Sequence, residues 1–102
     1  HPPGPMIEHT VTFRLRHPLG SPEEAFFLAA AAELARLPGV RDFAIRRQVS
    51  PHLDHSHGIT MKFATQADYD AYTAHPDHTA FVQTRWLPEV AAFQESDFIP
   101  LH

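Results

Sequence analysis

The chain has 102 residues, enough for one domain. Hydrophobic residues make up 43% and charged residues 20%, an ordinary globular balance. The net charge is −4 with no basic run, which argues against a nucleic-acid partner, and no segment reaches the ~20 apolar residues of a membrane span. Cysteine is absent, which excludes disulfides, thiolate catalysis and cysteine-ligated metals and suits a cytoplasmic protein. Nine histidines are the unusual count.

Residues 1–5, His1-Pro-Pro-Gly-Pro5, read as a disordered arm or an expression remnant ahead of a single domain over 6–102. From Ile7 to Leu15 the chain alternates. Ile7, His9, Val11, Phe13 and Leu15 share one face, and polar residues share the other. This predicts a half-buried strand with a histidine in its apolar row.

Ser21-Pro22-Glu23-Glu24 predicts a helix start. Ser21 is the cap, Pro22 the first helical residue, and Glu24 the return arm of a capping box. The helix should run to about Leu37, facing inward through Phe27, Ala31, Leu34 and Leu37, and end at Pro38-Gly39. Strands are expected from Val40 to Val49 and from His55 to Phe63. In the second of these, His55, His57, Ile59, Met61 and Phe63 should share one face.

A second helix should begin at Thr65 and carry Tyr69 and Tyr72 to about Ala74. Pro76 breaks it and starts another, whose stripe includes Phe81 and which Pro88 stops. The last strand should cover Ala92 to Ile99, anchored by Phe93 and Ile99. The order β-α-β-β-α-β predicts an α+β, ferredoxin-like fold: a four-stranded antiparallel sheet with its helices on one face.

Candidate chemistry gathers at Tyr72-Thr-Ala-His75-Pro-Asp-His78. Histidine titrates near neutral pH and can take and return a proton, and tyrosine can donate to a developing oxyanion. His75, just before Pro76, is placed to cap the next helix. His9 and His57, on apolar rows, should reach the same pocket. His52-x-Asp54-His55-x-His57 offers imidazoles for a cation, but a solvated loop explains it better, so no metal is assigned.

His9-Thr-Val-Thr-Phe-Arg-Leu15, Leu37-Pro-Gly-Val40 and Tyr72-x-x-His75-Pro-Asp-His78-x-x-Phe81 together resemble the stress-responsive A/B barrel (Dabb) family, from Met6 to Leu101. The resemblance implies a homodimer in which two such sheets pack into an α+β barrel. It also implies similarity to a plant polyketide cyclase, which forms olivetolic acid by aldol ring closure without metal or organic cofactor. On that resemblance Tyr72 and His78 are the catalytic pair. His9 and His57 support them, and Phe27, Ala30 and His75 belong to the binding pocket. Ala30 stands where the cyclase has a pocket tyrosine. The expected function is acid–base chemistry on a small carbonyl or polyketide-like compound. The alternatives are a non-catalytic small-molecule-binding or stress-response dimer and a metal-binding protein.

Overall fold

The computed structural model describes residues 4–102. The predicted terminal arm therefore lies largely outside the described residues, and Gly4 and Pro5 are exposed and belong to no element.

The first strand, β1 (Ile7–Leu15), buries every second residue from Ile7 to Leu15, as its alternation demands. It pairs antiparallel with both β3 (His57–Phe63) and β4 (Val90–Phe98), and β2 (Arg41–Arg47) pairs antiparallel with β3. The sheet order is β2-β3-β1-β4. Phe13, Phe27, Phe63 and Met61 fill the space between sheet and helices and are the largest fully enclosed side chains. The ring centroids of Phe13 and Phe27 lie 5.7 Å apart, joining β1 to the first helix. Large apolar side chains dominate such a core because each one fully buried is worth about 1.5–3 kcal/mol.

Helix α1 (Pro22–Ala32) starts where expected. The Ser21 hydroxyl accepts from the Glu24 amide at 3.2 Å. Glu24, however, does not close the box on Ser21. Its Oε1 accepts from the Gly20 amide at 3.1 Å, and its side chain turns inward and is buried. The α-helix ends at Ala32 and tightens into a 3₁₀ turn over Glu33–Arg36, five residues before the expected end. Pro38 disfavours a helical conformation at Leu37, which is extended (φ −69°, ψ 147°). Gly39 then adopts φ +84°, the left-handed conformation that suits glycine.

Both middle strands are shorter than expected. β2 begins with a register shift between Arg41 and Ala44, where Asp42 sits at φ 51°. β3 begins at His57, so His55 is freed from the predicted alternation. It turns to the open face of the sheet, where its Nδ1 lies 2.9 Å from the Thr12 hydroxyl.

Helix α2 (Gln66–Ala74) is capped by Thr65, whose hydroxyl accepts from the Asp68 amide at 3.1 Å. Helix α3 (Pro76–Phe81) follows after a single residue, His75. Pro88 does not stop the helical path. The chain widens into a π turn over Val82–Trp86, then makes one more turn, Leu87–Glu89, with Pro88 inside it. The wider turn gives room for a ring that would clash in an α-helix. β4 accordingly starts at Val90, and Ile99 lies beyond its end. No helix among the described residues is long and apolar enough to cross a membrane.

Gly39→Ala tests the turn after α1. An added Cβ would lie 3.3 Å from the Asp68 Cβ and would force a side chain into positive φ. The variant should lose about 1 kcal/mol or more in urea unfolding, with an unchanged m value.

Candidate active site

A cavity of about 260 Å³ opens between the β1–β4 side of the sheet and the α2–α3 layer. Its wall is largely apolar, with Val11, Leu34, Ile59, Met61, Phe81 and Trp86 among its residues. Four polar side chains reach it: His9 from β1, Tyr72 from α2, His78 from α3 and Glu95 from β4. Leu87, Phe93 and Glu95 are all more than half exposed and mark the mouth. The π turn supplies Val82 and Trp86, a placement typical of π turns at functional sites.

The helix junction fixes His78. Pro76 has no amide hydrogen, and the Asp77 amide donates to His75 Nδ1 at 3.1 Å instead of to a helix carbonyl. The Thr73 carbonyl is thereby left for His78 Nδ1, 3.1 Å away. A carbonyl only accepts, so Nδ1 carries the hydrogen and Nε2 keeps its lone pair. Burial lowers the His78 pKa and outweighs the raising effect of that hydrogen bond, while nearby His9 lowers it further. His78 is thus a neutral imidazole near neutral pH.

Tyr72 is 3% exposed, and its ring centroid lies 4.6 Å from that of His78. Burial first and the Glu95 charge second push its phenol pKa well up, so it stays a hydroxyl donor.

His9 is held from the opposite wall. Its Nδ1 lies 2.6 Å from Asp97 Oδ1, a short charge-assisted contact. The Tyr69 hydroxyl donates to Asp97 Oδ2 at 2.9 Å and also lies 2.9 Å from His9 Nδ1. With Nδ1 turned to Asp97, His9 Nε2 is the nitrogen on the Glu95 side, 3.6 Å from Oε1. Burial and the Asp97 hydrogen bond raise the Tyr69 pKa, keeping its proton in place.

The structure thus brings together His9, Tyr72 and His78 and separates the other predicted pocket residues. His57 faces the helices but lies opposite Phe13, whereas His9 lies opposite Met61. His57 instead meets Glu24: Nε2 and Oε2 are 3.3 Å apart, too poorly aligned to hydrogen-bond, and Ser56 Oγ lies 2.7 Å from Nδ1. Burial, then the Arg47 charge, lowers the His57 pKa against the pull of Glu24. Phe27 is wholly enclosed in the core, and Ala30 packs against that core without reaching the cavity. His75 caps α3 and is not among the residues that line the cavity. His52, Asp54, His55 and His57 do not converge, and no group of three or more metal-ligating side chains exists among the described residues.

The sequence pattern does not single out Asp97, Tyr69 and Glu95 as site residues. Phe93, Glu95 and Asp97 fall on alternate positions of β4, opposite Phe13, Val11 and His9. Two acids in the inward row of a strand are a signal that could have been read.

A family model described as Stress responsive A/B Barrel Domain matches residues 7–100. A Dabb family protein with a ferredoxin-like fold from Mesorhizobium loti is 48% identical, with a TM-score of 0.95 over 97% of this chain and 100% of that one. A dimeric ferredoxin-like protein of unknown function from Thermobifida fusca gives a TM-score of 0.78 at 20% identity, over 95% and 92%. The hydroxynitrile lyase from Passiflora edulis gives 0.81 at 16%, over 96% and 95%. At these last two identities the likeness is one of fold. A search of curated proteins finds no match.

The two lowered histidines, His57 and His78, make stability pH-dependent in one direction. Above the unfolded value of 6.5 both states hold these rings neutral and stability is complete. As pH falls through that value the unfolded chain binds protons that the folded one refuses, so stability drops until the lowered folded values are passed. The urea midpoint should fall between about pH 7.5 and about pH 5.5, and a His57→Gln/His78→Gln double variant should lose most of that slope.

Proposed function

The chain belongs to the stress responsive A/B barrel family, and from that premise we propose that its cavity performs cofactor-independent acid–base chemistry on a small carbonyl compound. One observation carries the reading: His78 presents a neutral Nε2 because Thr73 holds the Nδ1 hydrogen, in a cavity that also takes Tyr72. His78 Nε2 removes a proton from the carbon beside the carbonyl. The Tyr72 hydroxyl donates a hydrogen bond to the enolate oxygen as charge develops there. His9, braced by Asp97, faces the same space and can deliver or receive the second proton. The balance is a proton moved from carbon to nitrogen and returned to carbon or oxygen, with no redox step. A fold shared with a hydroxynitrile lyase supports an enzymatic role.

The working form in this proposal is a homodimer. The open sheet face, bearing Thr10, Thr12, Thr60 and Lys62, carries no helix among the described residues, and the Thermobifida fusca protein of the same fold is dimeric. A second reading, a binding protein without turnover, draws on the largely apolar wall of the cavity.

Hydrogen–deuterium exchange of phenylacetone in D₂O, followed by proton NMR, separates the two readings. The protein should accelerate exchange at the carbon beside the carbonyl. His78→Ala and Tyr72→Phe should each reduce the enzymatic rate by roughly 10²–10³-fold while the folded spectrum is retained. The rate should rise with pH through a value below 6.5 and then level, because the lowered His78 must be unprotonated to act. Binding of phenylacetone with exchange no faster than in buffer would leave only the binding-protein reading.

A further inference from the structure

The cavity wall carries one sign of charge. Among the described residues no lysine or arginine lines it, while Glu95 does. The other polar groups do not offset Glu95. Tyr72 is held as a neutral phenol and His78 as a neutral imidazole. His9 already has a carboxylate of its own, Asp97, at 2.6 Å. Glu95 is therefore the carboxylate of the wall that no cationic side chain of the wall is placed to neutralise closely.

Glu95 is also placed to meet a ligand rather than the protein. Its side chain is 54% exposed, and its single close ionic contact, His9 Nε2, stands off at 3.6 Å. Phe93 lies two residues away on the same face of β4. The Phe93 ring meets Trp86 edge-on, with centroids 5.5 Å apart, and both line the cavity. A carboxylate beside two aromatic rings in a largely apolar pocket is the chemistry that recognises an organic cation. The rings attract it through their negative faces, and the carboxylate through its charge.

We propose that Glu95, with Trp86 and Phe93, selects ligands bearing an ammonium group and turns away carboxylates and phosphates. On the reading above, on which this inference rests for the reacting end alone, the substrate is an amino- or ammonium-substituted carbonyl compound. Its cationic end sits at the mouth and its carbonyl lies between Tyr72 and His78.

A matched ligand series tests this by titration of the single tryptophan's fluorescence, cross-checked by calorimetry. Phenyltrimethylammonium and its carbon isostere tert-butylbenzene differ in charge and hardly in shape, and benzoate supplies the anion. The ammonium ligand should bind at least roughly tenfold tighter than the isostere, and benzoate the weakest of the three. Glu95→Gln should bring the ammonium ligand down toward the isostere, and added salt should weaken it in the native protein alone. Equal or tighter binding of tert-butylbenzene, or a preference that survives Glu95→Gln, would overturn the proposal. Phenylacetone exchange would still stand in that case, so the two failures are distinguishable. If none of the three ligands binds, the proposal is overturned, while phenylacetone exchange still judges the acid–base reading on its own.

Discussion

One hydrogen bond, from His78 Nδ1 to the Thr73 carbonyl, decides what the cavity can do. It exists because a helix is interrupted. In a continuous helix the Thr73 carbonyl would accept from the amide four residues on, at Asp77. Pro76 ends α2, and His75 takes the Asp77 amide as a cap. The orphaned carbonyl is then satisfied by a side chain that must itself be a donor. A backbone break thus becomes a tautomer, and the tautomer puts a lone pair on Nε2. Removing the proline would release the His78 tautomer without altering any cavity-lining side chain.

The two histidines of the cavity are prepared in opposite ways. His78 is kept neutral mainly by burial. His9 is gripped by a carboxylate, which is itself held by the Tyr69 hydroxyl. Tyr69 and Tyr72 both keep their protons, but Tyr69 spends its hydroxyl on Asp97 while Tyr72 lines the cavity.

Much of this was legible in the sequence where a local period governs. The alternation of β1 put His9 on the helix-facing side, and Ser21 and Thr65 announced their helices. Alternation gives the face of a strand, however, and not the position along it. His57 shares the face of His9, yet pairs with Phe13, four residues and about 13 Å further along β1. There it meets Glu24, which local rules had assigned to a capping box. Asp97 lies 88 residues from His9 and becomes its partner only through the β1–β4 register. The π turn was hidden because Pro88 read as a stop, when the helical path could widen to admit it.

That π turn has a wider meaning for the lineage. A π turn is an α-helix with one residue added, and each residue turns a helix by about 100°. Deleting one position among Val82–Trp86 would restore the regular helix and swing the following side chains around its axis. Leu87 would leave the cavity mouth, and Trp86 would leave both the cavity and its packing on Phe13, Phe27 and Phe81, while the His75–His78 junction lies upstream of the change. The fold therefore carries a one-residue adjustment for the shape of its pocket mouth, separate from the groups that hold the proton. Relatives of this fold that differ by one residue here would differ both in the pocket mouth and in how the core closes beneath it.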